Sequence, residues 1–169
     1  MTLRARVGPE WDGGFVTEAR KWTTEFYQDD AGRRPVELWM SSLTVAEFAA
    51  LRAGIVRFLE VQGIDLGSTP WLTALGEGLF EFRVRHDAAT IDGLAGHEPV
   101  EGLPTQRKIL LRLFVHFYGD KVILLLHGYD KGANDSPRQQ NKEIQEARKR
   151  LTAWKSAEAK RNKELSKKK

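Results

Sequence analysis

Cysteine is absent from the 169 residues of the sequence. Its absence excludes a disulfide framework, a thiolate metal site and a cysteine nucleophile, and it fits a reducing compartment. Long apolar runs are also missing, since the longest, Val122 to Leu126, is far shorter than the ~20 residues that span a bilayer. The N-terminal segment carries no apolar stretch typical of a secretory signal. These absences predict a single soluble, cytoplasmic domain with no membrane partner.

Common catalytic and cofactor motifs are absent as well. The sequence has no zinc-ligand spacing, phosphate-binding loop, dinucleotide fingerprint or G-x-S-x-G nucleophile motif. We therefore expect no metal and no cofactor.

Charge is present but unevenly distributed. Residues 1–135 hold 15 Lys or Arg and 19 Asp or Glu, a balance of −4. Residues 136–169 hold 12 Lys or Arg and 4 Asp or Glu, a balance of +8. A basic end on a mildly acidic body indicates an anionic partner such as nucleic acid, the ribosome or an acidic protein. The alternative is a solvated, frayed tail that only keeps the protein soluble.

Hydrophobic periodicity and turn signals predict an α+β fold, in which a small antiparallel sheet packs on two N-terminal helices and a C-terminal helix follows. The capping box from Thr44 to Glu47 and the Ser136-Pro137 pair are the clearest helix starts. Residues 87–106 contain four acidic residues, two prolines and no Lys or Arg, and we predict a long loop there. The predicted elements are strand 21–27, helices 35–42 and 44–62, strands 79–85, 108–118 and 121–129, and a helix from 136.

The last two predicted strands are separated by Gly119-Asp120, which is typical of a two-residue hairpin loop. In that register Arg112 faces His127. Strand alternation predicts one apolar face directed at the helices, formed by Leu111, Leu113, Val115, Phe117, Val122, Leu124 and Leu126. It predicts a second, mixed face that holds Arg83, Arg85, Arg112, Phe114, His116, Tyr118, Ile123, Leu125, His127 and Tyr129.

The mixed face suits a phosphodiester substrate. Guanidinium groups offer a planar fork to phosphate oxygens, an imidazole exchanges protons near neutral pH, and Tyr129 can stack on a base. The alternative is an ordinary solvated sheet face, on which Glu81 simply pairs with Arg83 or Arg112.

Five short motifs in a fixed order resemble the phage-derived, HigB-like branch of the RelE/ParE toxin superfamily, and the resemblance covers about residues 22–155. The motifs are Phe26 to Leu43 (FYQDDAGRRPVELWMSSL), Leu75 to Arg83 (LGEGLFEFR), Arg112 within a β-run, Leu125 to Lys131 (LLHGYDK), and Ser136-Pro137 followed by Ile144 to Ala147 (IQEA).

This resemblance implies a RelE-like fold and the toxin of a type II toxin–antitoxin pair. RelE and HigB members cut mRNA on the ribosome without a metal, by attack of a 2′-hydroxyl on the adjacent phosphate. The implied partners are therefore ribosome-bound mRNA and a cognate antitoxin, in this branch often a helix-turn-helix protein. By position, the resemblance and the predicted pairing give Arg112, His127 and Lys131 as catalytic candidates and Arg83, Arg85 and Tyr129 as RNA-binding candidates.

The sequence departs from the family pattern in three places. Gly132 stands where the branch carries a second lysine after the last strand, and residues 136–145 offer no Tyr or His as general base. Residues 87–106 form an atypical acidic insertion. We therefore expect an arm at 1–21, a toxin domain at 22–155 and a basic tail at 156–169. A ParE-like gyrase-binding toxin and a non-enzymatic binding module of prophage origin remain alternatives.

Overall fold

The computed structural model describes residues 21–99, 102 and 108–168, so the predicted arm lies outside the described residues apart from Lys21. The predicted α+β class is confirmed. The elements are β1 Thr23–Phe26, α1 Pro35–Ser41, α2 Val45–Gly54, α3 Glu60–Gln62, β2 Leu72–Gly76, β3 Leu79–Val84, α4 Ala88–Leu94, β4 Leu111–Tyr118, β5 Val122–Asp130 and α5 Pro137–Lys167. A π-helical turn, Ile55–Leu59, joins α2 to α3, and a 3-10 turn, Gly63–Ser68, leads to β2.

The sheet has five strands in the order β1-β5-β4-β3-β2 and is mixed, which corrects the predicted antiparallel sheet. β1 runs parallel to β5, with Thr23 opposite Val122 and Phe26 opposite Leu125. Parallel pairing requires a long crossover, and here all of the chain between β1 and β5 provides it.

β2 was not predicted. It pairs antiparallel with β3 through a tight loop in which Glu77 and Gly78 both have positive φ, at 56° and 83°. Positive φ at two successive loop residues matches the right-handed twist of a hairpin, but glutamate is an unusual residue for it. The Gly-Glu-Gly segment is therefore a turn.

The β4–β5 hairpin differs from the predicted register in two ways. Tyr118 pairs with Val122, so the loop has three residues, and its last residue, Lys121, has φ of 56°. A bulge at Leu126 then shifts the pairing by one more position. Arg112 consequently faces Tyr129, and the predicted pairing of Arg112 with His127 is wrong.

The same register changes the faces assigned to β5. Ile123 and Leu125 point toward the helices α1 and α2, whereas Leu124 and Leu126 point toward α5. The residues of β5 that precede the bulge thus have the opposite orientation to the prediction. Because the bulge adds one residue, His127 and Tyr129 return to the predicted face.

Both faces of the sheet are covered. The α1–α2 side buries the larger apolar cluster, and α5 covers the opposite side with an apolar stripe formed by Ile144, Ala147, Leu151 and Trp154. The expectation of a solvated mixed face is therefore wrong, since α5 packs against it. Its polar groups instead find partners on α5, as described below.

Two local helix signals are confirmed. Thr44 and Glu47 form the predicted capping box at α2, and the Ser136 side chain accepts a hydrogen bond from the Gln139 amide at the start of α5. The helix α5 continues to Lys167, so the predicted basic tail is a regular helix within the described residues. Among the described residues, no helix is both long and apolar enough to cross a membrane.

The predicted loop at 87–106 is in part a helix. Asp87 caps α4, which buries Ile91 and Asp92 against α2. Asp92 accepts a hydrogen bond from Arg57 at 3.2 Å, between side chains that are both almost fully buried. Residues 100, 101 and 103–106 of the segment lie outside the described residues.

Candidate functional site

Three predicted site residues form one row across the sheet, which we call the cross-strand row: Arg83 on β3 pairs with Arg112 on β4, which pairs with Tyr129 on β5. The adjacent row is Glu81, Phe114 and His127. Residues paired across a sheet lie on the same face, about 5 Å apart. The structure therefore brings Arg83, Arg112 and Tyr129 together and places His127 one row away.

Glu81 is the anion at the centre of this group. It is fully buried. Its Oε1 accepts a hydrogen bond from Arg83 Nε at 2.8 Å and lies 3.7 Å from Arg112 Nε, and its Oε2 accepts a bond from Gln140 of α5 at 3.4 Å. The alternative that Glu81 pairs with the row arginines is thus observed. One carboxylate serves two guanidinium groups, so the row carries an excess of positive charge.

Arg112 is the most enclosed cation of the group, with 4% of its surface exposed. Its Nη1 donates a hydrogen bond to the Leu111 carbonyl at 3.3 Å, but its Nε has no hydrogen-bond partner among the described residues. Burial lowers the Arg112 pKa most, while Glu81 raises it and Arg83 and Arg85 lower it further. An anion placed here would satisfy a donor that the protein leaves unpaired.

Tyr129 presents a second unpaired donor. Its side chain is 6% exposed and stacks on Phe114 with the rings 6.0 Å apart and 5° from parallel. Its hydroxyl has no hydrogen-bond partner among the described residues. Burial, followed by the charge of Glu81, raises the Tyr129 pKa to about 12, so the phenol remains protonated at neutral pH and can donate.

His127 is held between two side chains of α5. Arg150 Nη1 donates to its Nδ1 at 2.7 Å and to the Leu126 carbonyl at 2.9 Å. Because a guanidinium cannot accept a hydrogen bond, Nδ1 is the acceptor, and the ring proton lies on Nε2 and is donated to Glu143. Burial lowers the His127 pKa more than the Glu143 hydrogen bond raises it. The imidazole is therefore neutral and oriented at neutral pH.

A cleft of about 510 Å³ lies beside the β5 end of the row, and we call it the β5 cleft. Gly128 of the cleft lies directly against Trp39 of α1, where any Cβ would overlap the indole ring. The residues that line it include Trp39, His127, Gly128, Tyr129, Asn134, Glu143 and Arg150. Tyr129 thus lies at the wall of this cleft, although its own side chain is almost fully buried.

A smaller pocket of about 280 Å³, the β3 pocket, lies at the other end of the row and is lined by Pro70, Trp71, Arg83, Arg85 and His86. Trp71 stacks on Phe58 at 4.3 Å, which fixes the indole in place. The Arg85 side chain is exposed just beyond β3. An aromatic wall beside two guanidinium groups can take a planar base with its phosphate.

Lys131 follows β5 directly, at the same end of the sheet as the row. Its ammonium lies 3.8 Å from Asp135 in a partly exposed pair. Lys131 therefore contributes charge near the row without touching its members. Within the described ranges, no group of three or more His, Asp or Glu side chains is arranged to hold a metal ion.

The sequence reasoning missed the α5 residues that hold the site. Glu143 and Arg150 lie seven residues apart on one flank of the apolar stripe of α5, and Gln140 lies one turn before Ile144. Polar side chains beside a buried apolar stripe indicate hydrogen-bond partners on the surface that the helix covers. This polar flank was the signal that the sequence offered for these residues. Trp71 and His86 carried no comparable signal, because β2 was not recognised.

Comparisons of the chain with protein-family models, with curated proteins and with solved structures found no match.

Proposed function

We propose that the protein is the toxin of a type II toxin–antitoxin pair with a RelE-like fold and acts as a ribosome-dependent mRNA endonuclease. The observation that carries the proposal is the cross-strand row, in which the buried Arg112 Nε and Tyr129 hydroxyl make no hydrogen bond within the described residues, although Arg112 Nε lies 3.7 Å from the Glu81 carboxylate. Two such donors beside Arg83 and Arg85 fit the oxygens of a phosphodiester. The motif resemblance supplies the mRNA target.

The proposed reaction is a transesterification within the RNA. The 2′-hydroxyl oxygen attacks the adjacent phosphorus, and the bond from phosphorus to the 5′ oxygen breaks. The 2′ proton passes to a base and the 5′ oxygen gains a proton, which leaves a 2′,3′-cyclic phosphate and a 5′-hydroxyl. Arg112 and Tyr129 stabilise the added charge on the phosphoryl oxygens, and the protein holds the attacking and leaving oxygens in line.

In the arrangement observed here, His127 serves this proposal as a positioning group and not as a proton carrier. Both ring nitrogens are engaged, with Arg150 at Nδ1 and Glu143 at Nε2. Proton transfer at His127 requires one of these contacts to open when RNA enters the β5 cleft. The candidates for the general base are therefore His127, Glu143 and a group of the ribosome.

The two pockets beside the row provide a path for the strand. RNA that approaches through the β5 cleft meets Tyr129 first, and the neighbouring base then lies toward Trp71 and Arg85 in the β3 pocket. Stacking on one aromatic ring contributes about 1–3 kcal/mol per base. Full access to Arg112 requires the first turn of α5, where Gln140 contacts Glu81, to move aside.

The experiment expresses the protein without a partner and maps mRNA 5′ ends. We expect growth arrest and new 5′ ends inside translated reading frames. Arg112→Ala should lower cleavage by roughly 10²–10³-fold, as the loss of a charge-stabilising donor does elsewhere. Arg161→Gln removes a cation that pairs with Glu158 in the exposed C-terminal part of α5, and it serves as the control. Full cleavage by the Arg112 variant would contradict the proposal.

A second candidate is a toxin-like protein that binds its target without cutting RNA, either in the manner of a ParE-like gyrase inhibitor or as a binding module of prophage origin. The burial of Arg112 and the two occupied nitrogens of His127 favour it. Arrest with intact transcripts and altered plasmid supercoiling would support the gyrase alternative. In either toxin proposal, an adjacent gene that encodes a small helix-turn-helix protein would supply the antitoxin.

A further inference from the structure

The cations of α5 are arranged on one side of the helix. At 3.6 residues per turn, six of them fall within about 80° of the helix circumference. This arc, which we call the basic stripe, contains no acidic residue, and all of its members are exposed. The stripe consists of Arg138, Lys142, Lys149, Lys160, Lys163 and Lys167, with the uncharged Gln145, Thr152 and Ser156 between them.

The stripe lies opposite the face of α5 that is buried. Ala147 and Leu151, which pack on the sheet, point about 180° away from it. Among the described residues, the ion pairs made by cations of α5 involve Arg150 and Arg161, which both lie outside the stripe. From Arg138 to Lys167 the stripe extends about 44 Å along the helix, at 1.5 Å per residue.

We propose that the basic stripe is a docking surface for the phosphate backbone of double-stranded RNA, independent of base sequence. Lysine is a flexible point charge, which suits phosphate contact along a strand but not base readout. A straight row of cations without acids matches the continuous negative charge of a duplex backbone. The choice of RNA over DNA rests on the proposed function, in which the protein acts on the ribosome.

A membrane surface fits the stripe less well than a duplex does. A helix that lies in a membrane interface needs a broad apolar face opposite its charges. In the exposed C-terminal segment of α5, residues 156–168, the one large apolar side chain that is exposed is Leu165. The charge alone would thus have to hold the helix on a lipid surface.

The test measures binding of the full chain to a labelled RNA duplex of 20 base pairs by fluorescence anisotropy. The stripe variant carries Lys160→Gln, Lys163→Gln and Lys167→Gln. The control variant carries Lys155→Gln, Arg161→Gln and Lys168→Gln, which remove the same charge from outside the stripe. Because Lys155 donates a hydrogen bond to the Glu77 carbonyl at 3.1 Å and Arg161 pairs with Glu158, the control also loses those two internal contacts. Glutamine is a good helix former, and circular dichroism checks that α5 persists.

We expect the stripe variant to bind at least about tenfold more weakly and the control to stay within about twofold, at near-physiological salt. The slope of log affinity against log salt should fall in magnitude by about 2 to 3 in the stripe variant. Equal loss in both variants, or loss in neither, would overturn the proposal. So would stronger binding to a DNA duplex of the same length, or to anionic phosphatidylserine vesicles, than to the RNA duplex.

These outcomes are separable from the proposed function. A protein that binds duplex RNA through the stripe but leaves mRNA intact would contradict the endonuclease and keep the docking surface. If both triple variants cut mRNA as well as the wild type and bind the duplex with unchanged affinity, the docking surface is contradicted and the endonuclease is kept.

Discussion

At the scale of single residues, two buried donors make no hydrogen bond within the part of the chain that the structure describes. They are the Arg112 Nε and the Tyr129 hydroxyl, on residues that pair directly across β4 and β5. Around them Glu81 contacts Arg83, Gln140 and, at 3.7 Å, Arg112, and His127 contacts Arg150 and Glu143. Leaving a buried donor unpaired costs about 1–3 kcal/mol, so a ligand that satisfies both binds at a site already desolvated.

His127 makes the stability of the protein depend on pH. Its folded-state pKa is below the ordinary value of 6.5, so the folded state disfavours the proton that the unfolded state accepts. Its contribution to stability is therefore full above pH 6.5 and is lost as the pH falls below that value. His127→Gln keeps one donor and one acceptor for Glu143 and Arg150 but does not titrate.

Urea unfolding of both proteins between pH 7.5 and 5 tests this prediction. We expect the wild type to lose stability relative to His127→Gln as the pH falls. The opposite trend would mean that the Glu143 carboxylate outweighs burial and that His127 is a structural imidazolium.

At the scale of the elements, the β4–β5 hairpin explains why the sequence predicted the observed face for His127 and Tyr129 but the wrong pairing partner for Arg112. Gly119-Asp120 indicated a two-residue loop, but Lys121 also adopts positive φ, and Leu126 adds a bulge. Each added residue reverses the face of the residues that follow it. Together the two shifts return His127 and Tyr129 to the face that strand alternation predicted. The bulge left no signal because the neighbouring residues are apolar on both faces, and α5 covers the face predicted to be open.

The insertion helix α4 is a part of the packed domain. Ile91 is fully buried in the same cluster as the residues of α2, whereas Leu94, one turn later, is 58% exposed. Ile91→Ala should lower the free energy of unfolding by about 2–5 kcal/mol. Leu94→Ala removes a side chain from the same helix at a solvent-facing position and should change it by no more than about 0.5 kcal/mol.

Denaturant titrations of the two alanine variants check this prediction. Equal, small effects would show that α4 is only loosely attached, as the loop prediction for 87–106 required.

At the scale of the whole molecule, the two proposed binding surfaces lie on opposite sides of α5. The cross-strand row lies beneath the first half of α5, between the β5 cleft and the β3 pocket. The basic stripe runs along the outer side of the same helix. The charge balance of residues 136–169 predicted an anionic partner. The structure adds how the cations are arranged along α5 and which side of the helix they occupy. The sheet order, with β1 beside β5, had no local signal, because it depends on contacts between the two ends of the domain.

The central claim is that the cross-strand row binds the phosphate that is cut, and the direct test is cleavage of ribosome-bound mRNA in a purified translation reaction. Tyr129→Phe removes a hydroxyl that bonds to no described residue, so it should leave stability unchanged and slow cleavage by at least about tenfold. Tyr118→Phe is the converse control, since its hydroxyl donates to Glu25 at 2.8 Å. That variant should lose about 1 kcal/mol of stability and keep its cleavage rate. Cleavage by Tyr129→Phe at the wild-type rate, or no cleavage by the wild type itself, would contradict the account.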